Sequence, residues 1–291
     1  MCYHGSALIL ALMMFGIARP SAAKDTTEVT DGFHHIDGWP TRKIVATGLV
    51  GAIMATTLYD SYNTWWKGAA KPFTFLGHQE ENWLSGPHQG IDKPGHFFGT
   101  YALFKSIRNL LLWGGADRNT AFWWAAGFGL WNGFQIEIGD AFSPYGFDYQ
   151  DIVFDVGGVA FGMLQSEVPA LDNFNFKFSY WSNTGIKSPA NFTRDYDAMV
   201  IWLTMNVHNI LPASIQNSWP EFLQLAVGYG VDDQESRRKF AVGFDINIQA
   251  FTTQNEDVLL AEKTFDLLHL PLPAIRIVED KHPRYDLIFR K

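Results

Sequence analysis

The period of the apolar residues changes once along this chain, near Pro169, and nothing else in the sequence limits the fold as strongly. Upstream of it, apolar residues come in long runs. Ile44 to Tyr59 carries no charge over 16 residues, shorter than the roughly 20 a helix needs to cross a bilayer, and its Gly48, Gly51, Ala52 and Ala55 permit close helix contact. Thr64 to Gly90, with Trp65, Trp66, Trp83 and Pro87, reads as an interfacial loop with a turn of helix. A second helix is predicted from about Pro94 to Trp113, because proline suits a first turn whose N–H has no helical partner anyway. A third is predicted from about Thr120 to Ile138 behind Asn119 as N-cap. Its Phe122, Trp123, Trp124, Phe128, Trp131 and Phe134 surround the helix, as expected of one buried in protein or lipid. A fourth starts at Asp148 and continues through Phe161.

Downstream of Pro169 the period is two. Phe174, Phe176, Phe178 and Tyr180 alternate, as do Leu223, Leu225, Val227 and Tyr229. Phe240, Val242, Phe244, Ile246 and Ile248 form the longest such run, opposite Ala241, Gly243, Asp245, Asn247 and Gln249. Ala198 to Val207 and Tyr285 to Phe289 are further strands. Such alternation predicts an antiparallel sheet with one face packed and one polar. A helix over 256–268, capped by Asn255, lies across it. The fold class is therefore α+β: an N-terminal four-helix membrane-associated bundle over 41–170, then a C-terminal antiparallel β-sheet over 171–291.

Residues 1–23 read as a signal peptide. The apolar core Ala7 to Ala18 leads to Ser21-Ala22-Ala23, small residues suited to cleavage before Lys24; an uncleaved membrane anchor is the alternative. No cysteine follows the apolar run, as a lipoprotein signal would require, and the single cysteine, Cys2, lies within the signal. The mature chain can then form no disulfide, which suits an oxidising envelope compartment. Residues 24–40 are polar and read as an unstructured lead-in. The full chain carries a formal net charge of −8 and no basic run, which excludes a nucleic-acid partner. Eleven tryptophans and a 15% aromatic content favour a membrane–water interface, where an apolar ring and a polar edge are both satisfied. The expected location is the cell envelope, facing the periplasm, with a membrane or envelope lipid as partner.

Within the helical half, charges stand beside apolar text: Asp92, Lys93 and His96, then Glu137 and Asp140, then Asp148, Asp151 and Asp155. Isolated buried charges are prohibitive, so these should pair. Asp148 suits a helix N-cap. Asp151 and Asp155, four apart on one helix face, repel unless a cation or proton lies between them, and so do Glu137 and Asp140. Three readings stay open. His96, Asp140, Asp151 and Asp155 could hold a divalent metal. His96, Glu137 and Asp151 could perform acid–base catalysis. Or the whole set could be a structural salt-bridge network.

Asp92-Lys93-x-x-His96 with Tyr101, Glu137-x-x-Asp140, and Asp148-x-x-Asp151-x-x-x-Asp155 ahead of Gly157, Gly158 and Gly162 resemble the YfiM-like predicted periplasmic family of unknown function. More distantly they are similar to VanZ-like membrane proteins. Asp155 stands where those relatives carry Asn, and the VanZ-like Arg before the last acids is absent. The resemblance implies a location and a residue set, with Tyr101 in it, and no reaction. The functional expectation is a membrane-associated envelope protein with a binding or scaffold role. The alternative is a metal-assisted or acid–base hydrolase or transferase acting on an envelope lipid or glycan. An outer-membrane barrel is weaker, since five or six strands fall below the usual eight.

Overall fold

The computed structural model describes residues 29–30, 32–34, 40–76, 87–182, 195–232, 234–251 and 253–289. The signal peptide, most of the lead-in, Trp83 and the 77–86 stretch around it lie outside the described residues. Where the lead-in was expected to be unstructured, two short strands, β1 (Val29–Thr30) and β2 (Phe33–His34), pair through a turn in which Gly32 adopts φ +84°. Only glycine takes that conformation without strain. The turn delivers Phe33 into a buried contact with Leu112 and Ala121.

Four long helices follow: α1 (Pro40–Ser61), α2 (Asp92–Trp113), α3 (Arg118–Ala141) and α4 (Tyr149–Glu167). Their order is the expected one, and their ends show why boundaries read from sequence shift. Asp117, not Asn119, caps α3, its carboxylate accepting from the Thr120 N–H at 2.9 Å. Asp148 caps α4 by accepting from the Gln150 N–H at 2.8 Å. Helix α2 is the hub, packed against α1, α3 and α4. Its Phe104, Ile107 and Leu110 meet Val50, Ala125, Ala126 and Val159 in the bundle core. The α2–α4 crossing is tight enough that a Cβ on Gly158 would stand 2.1 Å from the Phe97 carbonyl oxygen.

The second half is a six-stranded antiparallel meander in sequence order: β3 (Phe174–Tyr180), β4 (Met199–Met205), β5 (Leu223–Asp232), β6 (Arg237–Ile246), β7 (Ala274–Val278) and β8 (Arg284–Asp286). Strand β7 is the one the sequence reading lacked. Helix α5 (Glu256–Phe265), capped by Asn255 as expected, returns to α2 and is tied to α1 by ion pairs from Arg42 to Glu256 and Asp257.

The sheet's faces are the reverse of the expectation. The apolar set is outside: Val227, Phe240, Val242, Ile275 and Ile277 are each 40–51% exposed, brought side by side by the pairs Val227↔Val242, Phe240↔Ile277 and Val242↔Ile275. The small and polar set is inside, where Lys177, Lys239, Gln224 and Asp245 are at most 1% exposed. A period of two says which residues share a face, not which face the chain covers. Here the charges are admitted because they pair: Lys177 Nζ lies 2.8 Å from Asp245 and 2.7 Å from Asp266. Glycine makes room for the one large ring, since a Cβ on Gly228 would stand 2.8 Å from Trp202.

Candidate functional site

One end of the bundle gathers the start of α2, the end of α3 and the start of α4. The connection from α3 to α4 is short, and a strap from the α1 side closes it: Thr74 N–H bonds Ala141 O at 2.8 Å and Phe147 N–H bonds Thr74 O at 2.9 Å. Six carboxyl groups, Asp92, Glu137, Asp140, Asp148, Asp151 and Asp155, meet there around two basic side chains, Lys93 and His96. Two glycines on α3 let them close up. A Cβ on Gly133 would fall 2.4 Å from the Asp155 carboxyl, and one on Gly139 would fall inside the Trp66 ring's space.

Lys93 is 3% exposed and ties three of the acids, with Nζ 2.6 Å from Asp148, 2.8 Å from Asp151 and 3.1 Å from Asp92. Burial alone would favour its neutral form, but Asp151, Asp92 and Asp148 outweigh that and keep it protonated. His96 is held from both sides of its ring. Nδ1 lies 3.2 Å from Asp155 Oδ1, and Nε2 lies 3.6 Å from Asp151 Oδ2. Burial again works against the charge, and Asp151 and Asp155 overcome it, raising the imidazole well above its usual range.

Three of the acids are raised as well, but for them burial is the cause rather than the opponent. Burial, opposed by His96 and reinforced by Asp151, pushes Glu137 up to about 9. Burial pushes Asp140 up to about 6 against the hydrogen bond from Trp66 Nε1 at 2.7 Å. Burial also raises Asp151, against His96 and Lys93. Glu137 is 1% exposed; its Oε2 accepts the Asp148 N–H at 2.9 Å, and its Oε1 has no hydrogen-bond partner. A buried oxygen left so costs about 1–3 kcal/mol unless something meets it.

One ligand atom from each of His96, Glu137 and Asp151 lies within 4.8 Å of the other two. Donors around a metal at about 2.0–2.2 Å stand roughly 3–4 Å apart, so modest side-chain shifts would close these three on one ion. The donor set, one imidazole and two carboxylates, is that of zinc and related divalent ions. Asp155, on the other ring nitrogen, occupies the orienting position that metal-bound histidines commonly use.

Of the four residues singled out as metal ligands, His96 and Asp151 belong to this triad. Asp155 stands behind His96, and Asp140 is engaged by Trp66. Glu137, singled out as an acid–base residue, is the third donor. Tyr101 lies apart, its hydroxyl turned toward Asn175 at 3.4 Å and Lys105 at 3.1 Å. The sequence reading gave three contributors no place in the site. Trp66 looked like an interfacial aromatic. Thr100, whose Oγ1 donates to the Asp155 carbonyl at 2.8 Å, carries no signal beyond helical spacing from His96. Tyr196, from the loop before β4, has a hydroxyl held up by burial and by the field of Asp92 and Asp151.

Residues 80–167 match the model of a family described as predicted periplasmic lipoprotein (DUF2279). That stretch contains α2, α3 and α4 and all eight acidic and basic side chains of the cluster, while Trp66, Tyr196 and the sheet lie outside it. The description supports an envelope location and assigns no activity. No curated protein and no solved structure matches the chain.

Proposed function

We propose that this chain is a membrane-associated, periplasm-facing envelope protein whose helical bundle binds a divalent cation through His96, Glu137 and Asp151. The observation that carries the reading is Glu137 Oε1. It is a deeply buried oxygen without a hydrogen-bond partner, on a carboxyl group that offers a ligand atom within 4.8 Å of those of His96 and Asp151, in a cluster where six acids face two basic groups. A cation would meet that oxygen and offset the surplus negative charge at once.

The membrane part of the reading is supported by what lies outside. The outward side of the sheet is apolar, and so are the outer sides of the helices, with Ile44, Leu49 and Leu58 on α1, Trp123, Leu130 and Phe134 on α3, and Val156 and Leu164 on α4 exposed. Helix α1 with the turn after it, Thr41–Trp66, is the one described helix long and apolar enough to cross a membrane. Exposed apolar area of this extent is unusual in a water-facing monomer. The only cysteine is Cys2, so the reading rests on apolar surface, not on cysteine acylation. The finer likeness to YfiM-like and VanZ-like proteins belongs to the same proposal, resting on Asp92-Lys93-x-x-His96 and the acids after it.

A second reading follows from the ligand count. Three protein donors leave a coordination position open, as catalytic zinc sites do. The bound ion would then supply Lewis-acid chemistry toward an ester or phosphoryl oxygen of an envelope lipid or glycan. The test begins with binding. The full chain, purified in neutral detergent and stripped with chelator, is titrated with Zn²⁺ and Mn²⁺ by calorimetry. One ion per chain is expected, with binding abolished by Glu137→Gln or His96→Ala and weakened about 10–100-fold by Asp155→Asn. A wild-type chain that takes up neither ion overturns the proposal.

A further inference from the structure

A cavity of about 680 Å³ lies on the other side of the bundle, between α2, the end of α4 and the inner face of the sheet. Its wall is polar. Lys105 and Arg108, three residues apart and so on one side of α2, supply two cations to it. The Lys105 ammonium donates to Tyr101 Oη at 3.1 Å and to Asn175 Oδ1 at 3.0 Å, both neutral groups. No carboxylate among the described residues is within ion-pair distance of it. Burial acts to lower its pKa, but Tyr101 and then Asp266 and Asp172 outweigh that, so the charge stays.

Of the amide side chains that line the same space, three are buried with an unmet oxygen. Gln224, Gln165 and Asn206 are 1%, 4% and 5% exposed, and the side-chain oxygen of each lacks a hydrogen-bond partner. The Gln165 amide nitrogen donates to the Leu171 and Phe174 carbonyls, which fixes its oxygen as an acceptor for whatever occupies the cavity. Three acids also reach the wall, Glu167, Asp172 and Glu221, but they are exposed, and Arg118 pairs Glu167 at 2.9 Å. The deep part therefore offers cations and hydrogen-bond acceptors together.

We propose that this cavity binds a phosphate ester carrying free hydroxyls, with its phosphate at Lys105 and Arg108 and its hydroxyls donating to Gln165, Asn206 and Gln224. The paired cations select an anion. The orphaned amide oxygens select hydroxyl donors over a bare apolar chain, because an unmet buried acceptor is costly. A soluble glycerol or sugar phosphate and the headgroup of an anionic phospholipid share this chemistry.

The full chain in neutral detergent would be titrated with glycerol 3-phosphate, inorganic phosphate and glycerol, and with phosphatidylglycerol or phosphatidylcholine added to the micelles. Saturable binding of glycerol 3-phosphate, absent for glycerol, is the expected result, with a loss of at least tenfold in Lys105→Met. Asn206→Asp, which adds a carboxylate to the wall, should weaken it likewise and stands as the second variant if Lys105→Met folds poorly. Lys105-dependent binding of phosphatidylglycerol alone would assign the site to a lipid headgroup, and binding of the soluble ester to a soluble source. Failure of every phosphate probe to bind, or equal binding by wild type and both variants, overturns the proposal.

Discussion

Lys93 donates its charge to three carboxylates, and no other ammonium in the cluster could replace it. Truncating one partner of a buried ionic network strands the others, which typically costs about 3–5 kcal/mol. Lys93→Ala should therefore lower the stability of the full chain by that order in denaturant unfolding followed by tryptophan fluorescence. Asp155→Asn should cost less than that, since amide and carboxylate share a shape, His96 keeps its contact with Asp151, and the change relieves repulsion between Asp155 and Asp151. Comparable losses in both variants would mean that the network is not organised around Lys93. These residues were legible beforehand because charges inside apolar text must be explained, whatever the fold. What could not be read was the division of labour. Glu137 and Asp140 look equivalent three residues apart, and Trp66, far upstream in sequence, decides between them by engaging Asp140 and leaving Glu137 to face His96.

Against β4, the interior of the sheet carries a second histidine to which the sequence reading assigned no role. His269 lies 5% exposed, its ring stacked on Trp202 at 3.7 Å and 7°. Burial, and after it the Lys177 ammonium, drive its pKa down to about 3. An unfolded chain protonates this group near pH 6.5 and the folded one does not. Its contribution to stability is thus complete above about pH 6.5 and is lost as pH falls toward 3, at up to about 1.4 kcal/mol per pH unit. Asp245, raised by burial against the pull of Lys177, works in the opposite sense in the acid range, but does so in wild type and variant alike. The difference between wild type and His269→Phe, which keeps a ring on Trp202, should isolate the histidine. Melting temperature followed from pH 7.5 to 4.5 should fall less steeply in the variant; parallel curves would rule out a neutral buried imidazole. At this scale the strands were readable from their period and α5 from its Asn255 cap. The inward side was not, because the pairing of Lys177 with Asp245 and Asp266 joins residues 68 and 89 positions apart.

For the molecule as a whole, the arrangement is inverted relative to a water-soluble domain. Charged and amide side chains fill the inside of the sheet and one end of the bundle, while Phe, Val, Ile and Trp face out from both halves. In water that surface is a liability; against hydrocarbon it is the favourable one, and the polar interior is then shielded by its own pairing. The two environments give opposite outcomes for a charge placed on the sheet's outer face. Val242 is 49% exposed there, between Val227 and Ile275 on the neighbouring strands. In a chain dissolved in water, Val242→Glu at so open a position should be neutral or should improve solubility. In a chain whose sheet lies against lipid, it should weaken membrane binding, by less than the roughly 2–4 kcal/mol that an Arg or Lys costs at the midplane of a lipid-facing strand. Flotation of the full chain with phosphatidylglycerol–phosphatidylcholine vesicles is the measurement. Wild type should float with the vesicles and Val242→Glu should shift toward the unbound fraction. A wild-type chain that stays monomeric without detergent and does not float would remove the membrane from the reading and leave the cation site standing by itself.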